Sequence, residues 1–384
     1  MKKVLFISYN HGMPNVADSV QNHRLIPALS KYFEIDIIQR QVKGSNEGVW
    51  SPNLYLADRV LYKIFPFLFS IFSLDRWLWC RIAYSSLKKS LDKYQYIVMV
   101  YEPYTTRFLH YRIIKSRNDS KIISLLYDPY VDNIFFSKKN VAVNMRRKIE
   151  MEIVKQSDRI IVYNNKHFRI FKERYPNARV YNLVFCGLPS LPSDFFDKQN
   201  TSKPLSLIHV GNIYGERKID YINQVVTVLK QSKPSLSEDF HIIIMGTYCV
   251  GYEKVIEAGN EDVIIHSAPL YGYELLKSIK KSDGLLLIDP MDIGNTCFPS
   301  KLCEYYQYKK PIFGFSAKGT PSYESLKESE HVVCDENELS VMVKSINSFI
   351  DNHNVYSHSF NNSFGDRFYP KLIAEEFDKQ LMLE

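Results

Sequence analysis

The sequence predicts an α/β protein made of two successive parallel-sheet halves, and three observations carry that prediction. Short β-rich runs alternate with helical patterns through the first half, the signature of parallel strands joined by crossover helices. A Pro-, Ser- and Gly-rich stretch then breaks the alternation, running from Cys186-Gly187-Leu188-Pro189 to Ser202-Lys203-Pro204, and reads as a domain boundary. After it the alternation starts again. At 384 residues the chain is longer than one hydrophobic core comfortably serves, so two domains suit its size. We place them at 1–187 and 203–350.

In the first half, Val4–Ser8 reads as a strand and is followed by the loop Tyr9-Asn10-His11-Gly12-Met13-Pro14. A helix from about Ser19 to Lys31 comes next, with Val20, Leu25, Ile26 and Leu29 at inward spacing. Ile35–Ile38, Tyr96–Val100 and Lys121–Leu126 read as further strands. The last two end in Pro-containing polar loops, Tyr101-Glu102-Pro103 and Tyr127-Asp128-Pro129. A helix over 141–156, a strand Arg159–Tyr163 and a strand Val180–Asn182 close this half. Between the second and third strands lies an apolar insertion. Val60 to Phe72 is dense in aromatics, and Arg76, Arg81, Lys88, Lys89 and Lys93 follow it. A pair of core helices fits this stretch, and for 60–72 so does a segment lying in a membrane interface.

In the second half the strands are Leu205–Val210, His241–Met245, Val263–His266 and Gly284–Ile288, with helices at 218–232, near 252–258 and at 272–281. The run Pro311-Ile312-Phe313-Gly314-Phe315 reads as another strand, 336–350 as a helix and 364–382 as a last one.

Composition excludes several classes. Hydrophobic residues at 45% and charged residues at 24% are ordinary for a globular protein. Lys+Arg 49 against Asp+Glu 42 leaves +7, an excess that suits anionic ligands or surfaces and is too small to predict nucleic-acid binding. The six cysteines show no CxxC pair and no His at ligand spacing, so we expect free thiols and a reducing, cytoplasmic setting. The apolar core after Lys2 and Lys3 is only Val4 to Ile7, short of the roughly 7 to 15 residues of a signal peptide. No segment reaches the roughly 20 apolar residues of a membrane-spanning helix.

Ligands of open parallel sheets sit beyond the carboxyl ends of the strands. The loops bearing His11, Glu102 and Asp128 are therefore expected at one sheet edge. In the second half, Leu205–Val210 ends in Gly211-Asn212-Ile213-Tyr214-Gly215-Glu216-Arg217-Lys218. Glycines at a strand end let backbone amides approach a phosphate, and Arg or Lys neutralises it; a solvated turn is the plainer reading. The turn is neither a Walker motif nor GxGxxG, which removes the main support for an ATPase or a dinucleotide oxidoreductase. Tyr248, in the loop after the next strand, is placed to stack on a nucleotide base. The segment Phe298-Pro299-Ser300-Lys301 opens a helix with Pro in its first turn, where free amides face an anion. Glu304 lies about one turn on and is suited to ribose hydroxyls.

The run FPSKLCEYYQYKKPIFGF, residues 298–315, resembles the FPSKLxEYxxxGKPI segment of the C-terminal domain of GT-B glycosyltransferases. The resemblance extends over nearly the whole chain, to bacterial polysaccharide-biosynthesis enzymes of the glycosyltransferase family 4-like lineage. It includes Asp75-Arg76 with a following Trp, Asp128-Pro129-Tyr130 and Glu150 ahead of Ser157-Asp158-Arg159. It implies a GT-B fold, with two Rossmann-like domains facing a central cleft and the last helix, about 364–384, packing back on the first domain. It implies a sugar transfer from a nucleotide-diphosphate sugar to a glycan acceptor, expected to be lipid-linked, in surface polysaccharide synthesis at the inner face of the cell membrane. Gly211, Asn212, Arg217, Lys218, Tyr248, Phe298, Pro299, Ser300, Lys301 and Glu304 would bind the donor. Gly12, Asp18 and Tyr130 would lie on the acceptor side, and His11, Asp128 and Glu102 are the catalytic candidates.

No Asp-x-Asp metal motif is present at a strand end, Glu34-Ile35-Asp36 being the nearest imitation. We therefore expect no cofactor or metal, the leaving diphosphate being stabilised by cations and a helix end. Two departures from the lineage stand out: Tyr127 where it often has Arg, and Thr296 where a Glu-x7-Glu pattern would begin. The second leaves retention or inversion open. A sugar-nucleotide 2-epimerase of the same fold and a non-catalytic partner protein are the alternative readings.

Overall fold

The computed structural model describes residues 1–13, 16–42, 45–68, 71–101, 104–116, 119–136, 138–197, 204–352 and 363–382. The chain divides into two compact units. One comprises Met1–Pro189, Thr296–Phe298 and Tyr369–Glu384; the other comprises Ser190–Asn295 and Pro299–Phe368.

The first unit is built on six parallel strands, β1 (Lys2–Ile7), β2 (Phe33–Ile38), β3 (Tyr96–Val100), β4 (Lys121–Leu126), β5 (Arg159–Val162) and β6 (Val180–Asn182), in the order β2-β1-β3-β4-β5-β6. The β3 and β4 runs are buried almost throughout, as strands covered by helices on both faces must be. The order reverses at β1 and β3, which places a topological switch point beside the loop carrying His11. The helix Pro370–Met382 belongs to this unit and packs on the helix Ala17–Leu29. It is fixed by Arg159, whose guanidinium donates to the Gln380 carbonyl at 2.6 Å.

The helix Ala17–Leu29 begins two residues earlier than its apolar spacing predicts and buries Asp18, Ser19, Gln21 and Asn22 beside Leu25, Ile26 and Leu29. Its inward face is half polar because each of those side chains meets a partner. Asn22 donates to Ser8 Oγ at 2.9 Å, and Gln21 exchanges two bonds with the Cys186 main chain. Asp75 is equally committed, accepting from Tyr9 and Arg40 at 2.6 Å and from the Leu54 amide at 3.0 Å. Trp79 is fully buried edge-on to Tyr9, so Asp75 and Trp79 brace the insertion against the loop that follows β1.

The insertion splits in two. The helix Leu74–Leu87 buries Trp79, Cys80, Ala83 and Leu87 in the core. The helix Tyr55–Ile64, which starts upstream of the expected apolar run, buries only Asp58. Helices at Arg107–Ser116, Asn165–Arg174 and Pro321–Glu328 were not predicted.

The second unit repeats the plan with β7 (Leu205–Val210), β8 (Phe240–Met245), β9 (Ile264–Ser267), β10 (Gly284–Ile288), β11 (Ile312–Phe315) and β12 (Val332–Cys334), all parallel. Their order is β12-β11-β10-β7-β8-β9, so the switch point falls between β7 and β10. The six cysteines, all among the described residues, form no disulfide.

Candidate functional site

The β7–β10 switch point gathers most of the predicted donor-side residues. β7 ends at Val210, and the chain turns through Gly211 at φ +115°, a conformation that only glycine adopts without strain. The Gly211 amide donates to the Met245 carbonyl at 2.7 Å. A Cβ on Gly246 would lie 2.6 Å from the Gly211 oxygen, so two glycines back to back let the β7 and β8 loops touch. From there Ile213 and Cys249 form a parallel bridge.

Asn212 does not present its side-chain oxygen to a ligand. That oxygen accepts from the Thr247 amide at 2.7 Å and the Tyr248 amide at 3.1 Å, because two adjacent donors in a turned loop need an acceptor. Tyr248 itself is exposed, with its ring outward. Arg217 is half-buried with its guanidinium over the Tyr214 ring, and Lys218 is exposed beside it.

The helix expected to open at 298–301 starts at Lys301 and runs to Gln307. Pro299 and Ser300 form a tight turn before it: their carbonyls take the Leu302 amide at 2.9 Å and the Cys303 amide at 3.1 Å. Two of the amides expected to face an anion, those of Leu302 and Cys303, are thus spent inside the turn. Phe298 falls in the first unit, stacked on Phe185 at 6.3 Å.

What this helix brings to the sheet edge is Lys301. Its ammonium donates to the Val210 carbonyl at 2.9 Å and to His209 Nε2 at 3.3 Å. Burial first, and then the neighbouring Arg217 charge, pull its pKa down to about 7, with Asp289 and Glu304 acting the other way. Tyr305 adds a second tie, its hydroxyl accepting from the Val210 amide at 2.9 Å. Glu304, partly exposed, accepts from the Tyr308 hydroxyl at 3.3 Å. Asp289 is buried and accepts from Ser322 at 2.6 Å and Asn295 at 3.3 Å. Gly211, Arg217, Lys301 and Asp289 therefore share one edge. His209, at the end of an otherwise apolar strand, escaped the motif reading; a lone His in LSLIHV was the available signal.

In the first unit the β1 edge holds a second polar group. Asn10 donates to both oxygens of buried Asp18 at 3.1–3.2 Å. Burial raises the Asp18 pKa to about 6; the Asn10 bond opposes this and the Asp128 charge adds to it. His11 is buried and stacks on His23 at 4.2 Å. Burial and then the His23 charge hold its pKa at about 4, and among the described residues its Nδ1 has no hydrogen-bond partner. Gly12 is tightly packed: a Cβ there would meet Val42 Cγ2 at 2.7 Å and would require that side chain to shift. Asp128 is half-buried, and its carbonyl accepts from Tyr104 at 2.8 Å. Glu102 lies outside the described residues.

Tyr130 departs from its predicted acceptor-facing place. It is fully buried, stacked at 3.8 Å on Tyr104 and edge-on to Phe136, because an aromatic after Asp-Pro turns back into the core here. Tyr127 is also internal, its hydroxyl donating to Asn22 at 2.6 Å.

No protein-family model matches this sequence, and no curated protein matches it. Solved structures do. Sucrose-phosphate synthase from Thermosynechococcus elongatus is similar over 99% of this chain and 98% of its own, with TM-score 0.71 at 12% identity. TarM matches over 100% and 99%, with TM-score 0.66 at 10% identity. An α,α-trehalose-phosphate synthase (UDP-forming) from Burkholderia xenovorans, in complex with glucose-6-phosphate, matches over 99% and 100%, with TM-score 0.67 at 10% identity. At such identities the likeness fixes architecture: the chain has the GT-B fold, with two parallel-sheet α/β units.

Proposed function

We propose that this GT-B chain is a glycosyltransferase that moves a sugar from a nucleotide-diphosphate sugar to a glycan acceptor. The observation that carries the proposal is the convergence of Gly211, Arg217 and Lys301 at the β7–β10 switch point. Departure of a nucleoside diphosphate leaves negative charge on its β-phosphate, and pre-placed cations stabilise that charge without a metal. Arg217 and Lys301, with exposed Lys218 adjoining, suit that task. Tyr248 is free to stack on a base, and Glu304 is placed for ribose hydroxyls. Asp18 and His11, beside Asp128, are the candidates for activating an acceptor hydroxyl. A structure of a TarM variant with fondaparinux, α-GlcNAc-glycerol and UDP provides a relative in fold that takes a nucleoside diphosphate and glycan-like ligands together.

The proposed acceptor is a lipid-linked glycan of bacterial surface polysaccharide synthesis, met at a membrane face. The helix Tyr55–Ile64 supports this. Leu56, Val60, Ile64 and the following Phe65 are exposed, as is nearby Trp50. Its one acid, Asp58, is turned inward onto Ser73 and the Leu74 amide, whereas Arg59 and Lys63 are exposed. Apolar side chains flanked by cations suit an anionic bilayer surface. The proposed membrane contact thus centres on about 50–65 and overlaps only the start of the 60–93 stretch, whose 60–72 part suited a membrane interface in the sequence. Among the described residues no helix is long and apolar enough to cross a membrane.

The test is a panel of nucleotide sugars, read by thermal shift and by release of nucleoside diphosphate in the presence of glycan acceptors. Stabilisation by one donor, with Arg217→Ala plus Lys218→Ala abolishing turnover and Glu304→Ala weakening nucleotide binding, is the expected result. Binding without turnover under any acceptor would favour a non-catalytic partner protein, and interconversion of the sugar would favour an epimerase. Sedimentation with phosphatidylglycerol vesicles, lost on Leu56→Gln with Val60→Gln, tests the membrane face.

A further inference from the structure

We infer that His209 is a positioning residue for Lys301, and that the pair makes the Lys301 ammonium the proton-dependent anchor of the donor diphosphate. The inference rests on the donor reading above and deepens it, since the sequence pattern marks Lys301 only as part of a motif and does not mark His209 at all.

The geometry fixes the roles. His209 is wholly buried, and its Nδ1 lies 3.1 Å from the Leu286 carbonyl. A carbonyl can only accept, so Nδ1 carries the proton and Nε2 is left as an acceptor. Lys301 Nζ, at 3.3 Å, is the donor to it, and a second Nζ proton goes to the Val210 carbonyl at 2.9 Å. An ammonium has three protons, so one remains after both bonds. The ammonium sits against Gly211: a Cβ there would be 3.5 Å from Nζ. The glycine that the positive φ demands therefore also brings the loop main chain close against this ammonium.

The charges around Lys301 come from every element packed on it: His209 on β7, Arg217 in the following loop, Asp289 after β10 and Glu304 on its own helix. His209 is held neutral by burial and by the Lys301 charge, and Asp289 is engaged by Ser322 and Asn295. Burial first, and then repulsion from Arg217, disfavour the Lys301 proton in the empty site. A bound diphosphate adds negative charge beside both cations and reverses that balance. Binding should therefore draw a proton onto Lys301, and affinity should fall as the free site loses that proton.

The experiment is calorimetric titration of the wild-type protein with UDP and with GDP, at pH 6, 7 and 8 and in two buffers of different ionisation enthalpy. Uridine and guanosine serve as phosphate-free controls. With the free site half protonated near pH 7, the competent fraction falls about tenfold from pH 6 to 8, and Kd should weaken by about the same factor. Proton uptake should be visible as a buffer-dependent heat. Lys301→Arg keeps a permanent charge and should abolish the difference; the ligand's own phosphate titration is common to both proteins and cancels between them. His209→Leu, which removes the acceptor but retains apolar volume, should weaken diphosphate binding while leaving nucleoside binding unchanged. If a diphosphate binds wild type with no proton uptake and Lys301→Met binds it equally well, the inference falls while the donor site stands. If neither diphosphate nor any other of a nucleoside-diphosphate panel binds wild type, the donor reading falls and takes the inference with it.

Discussion

Gly246→Ala tests how far the donor edge depends on two loops touching. The added Cβ would lie 2.6 Å from the Gly211 oxygen, 2.9 Å from its carbon and 3.0 Å from Asn212 Oδ1. None of these can swing away. Gly211 is main chain, held by its own amide to Met245 at 2.7 Å, and Asn212 Oδ1 is clamped between the Thr247 and Tyr248 amides. Relief requires the two loops to part by several tenths of an ångström, the kind of overpacking that costs about 1–3 kcal/mol. For a unit of this size that is a Tm drop of roughly 2–4 °C per kcal/mol. Gly259→Ala is the control: Gly259 has φ +66° and nothing within 4 Å of an added Cβ, so it carries only the left-handed penalty of about 1–2 kcal/mol. Both variants should melt earlier by differential scanning fluorimetry. Only Gly246→Ala should lose nucleoside-diphosphate affinity by calorimetry, because only it moves Gly211 relative to Lys301. Equal nucleotide affinity in the two variants would refute the argument that the paired glycines shape the site.

Three more predictions concern Glu150 and Asp18 of the first unit. Glu150 is buried and accepts from Arg174 at 2.6 Å and Tyr175 at 3.0 Å, while Arg174 also grips both Asp132 oxygens at 2.8 Å; Glu150→Ala should cost about 3–5 kcal/mol in urea unfolding, and a loss below about 1 kcal/mol would mark the pair as a surface-type bridge. Asp18, with its pKa raised to about 6, ionises only above that pH, so if it is the base, kcat/KM should rise with pH through about 6 and the limb should vanish in Asp18→Asn. The same raised pKa makes its stability contribution present below the ordinary carboxylate pKa and lost as pH rises through 6, so Asp18→Asn should melt later than wild type at pH 7; an earlier melt would contradict the burial argument.

The parts of the fold that were legible in the sequence are those fixed by local composition. Tyr96–Val100, Lys121–Leu126 and Leu205–Val210 are apolar or β-branched runs between turn signals, and their strands have those same bounds. The loops that carry the candidate site followed from parallel topology. What was not legible depends on partners distant in sequence. Asp75 becomes internal because Arg40 and Tyr9 reach it, Gln21 because Cys186 does, and Tyr130 because Tyr104 offers it a stacking face. Asn212 sits where a ligand contact was expected, yet its oxygen is spent on two amides of a loop more than thirty residues away. A motif names residue types, and only the surroundings decide whether a polar atom meets a ligand or the protein's own main chain.

Thr296 carries this distinction to one of the two places where the sequence departs from the pattern it resembles. Its hydroxyl donates to the Asp132 carbonyl at 3.0 Å, and its own carbonyl accepts from Asn164 at 3.0 Å. Asp132 in turn takes both oxygens to Arg174, and Asn164 caps the following helix by accepting from the His167 amide at 2.8 Å. A glutamate at 296 would replace a donor by an ionised acceptor facing a carbonyl oxygen, losing one buried hydrogen bond and adding repulsion at a site 3% exposed. Thr296→Glu would therefore not restore the missing acid by a single exchange. It would first have to break the Asp132–Thr296–Asn164 chain. The absence of the first glutamate of the pattern is thus built into the packing of the first unit, and Glu304 is the acidic residue that the sequence retains between 296 and 304.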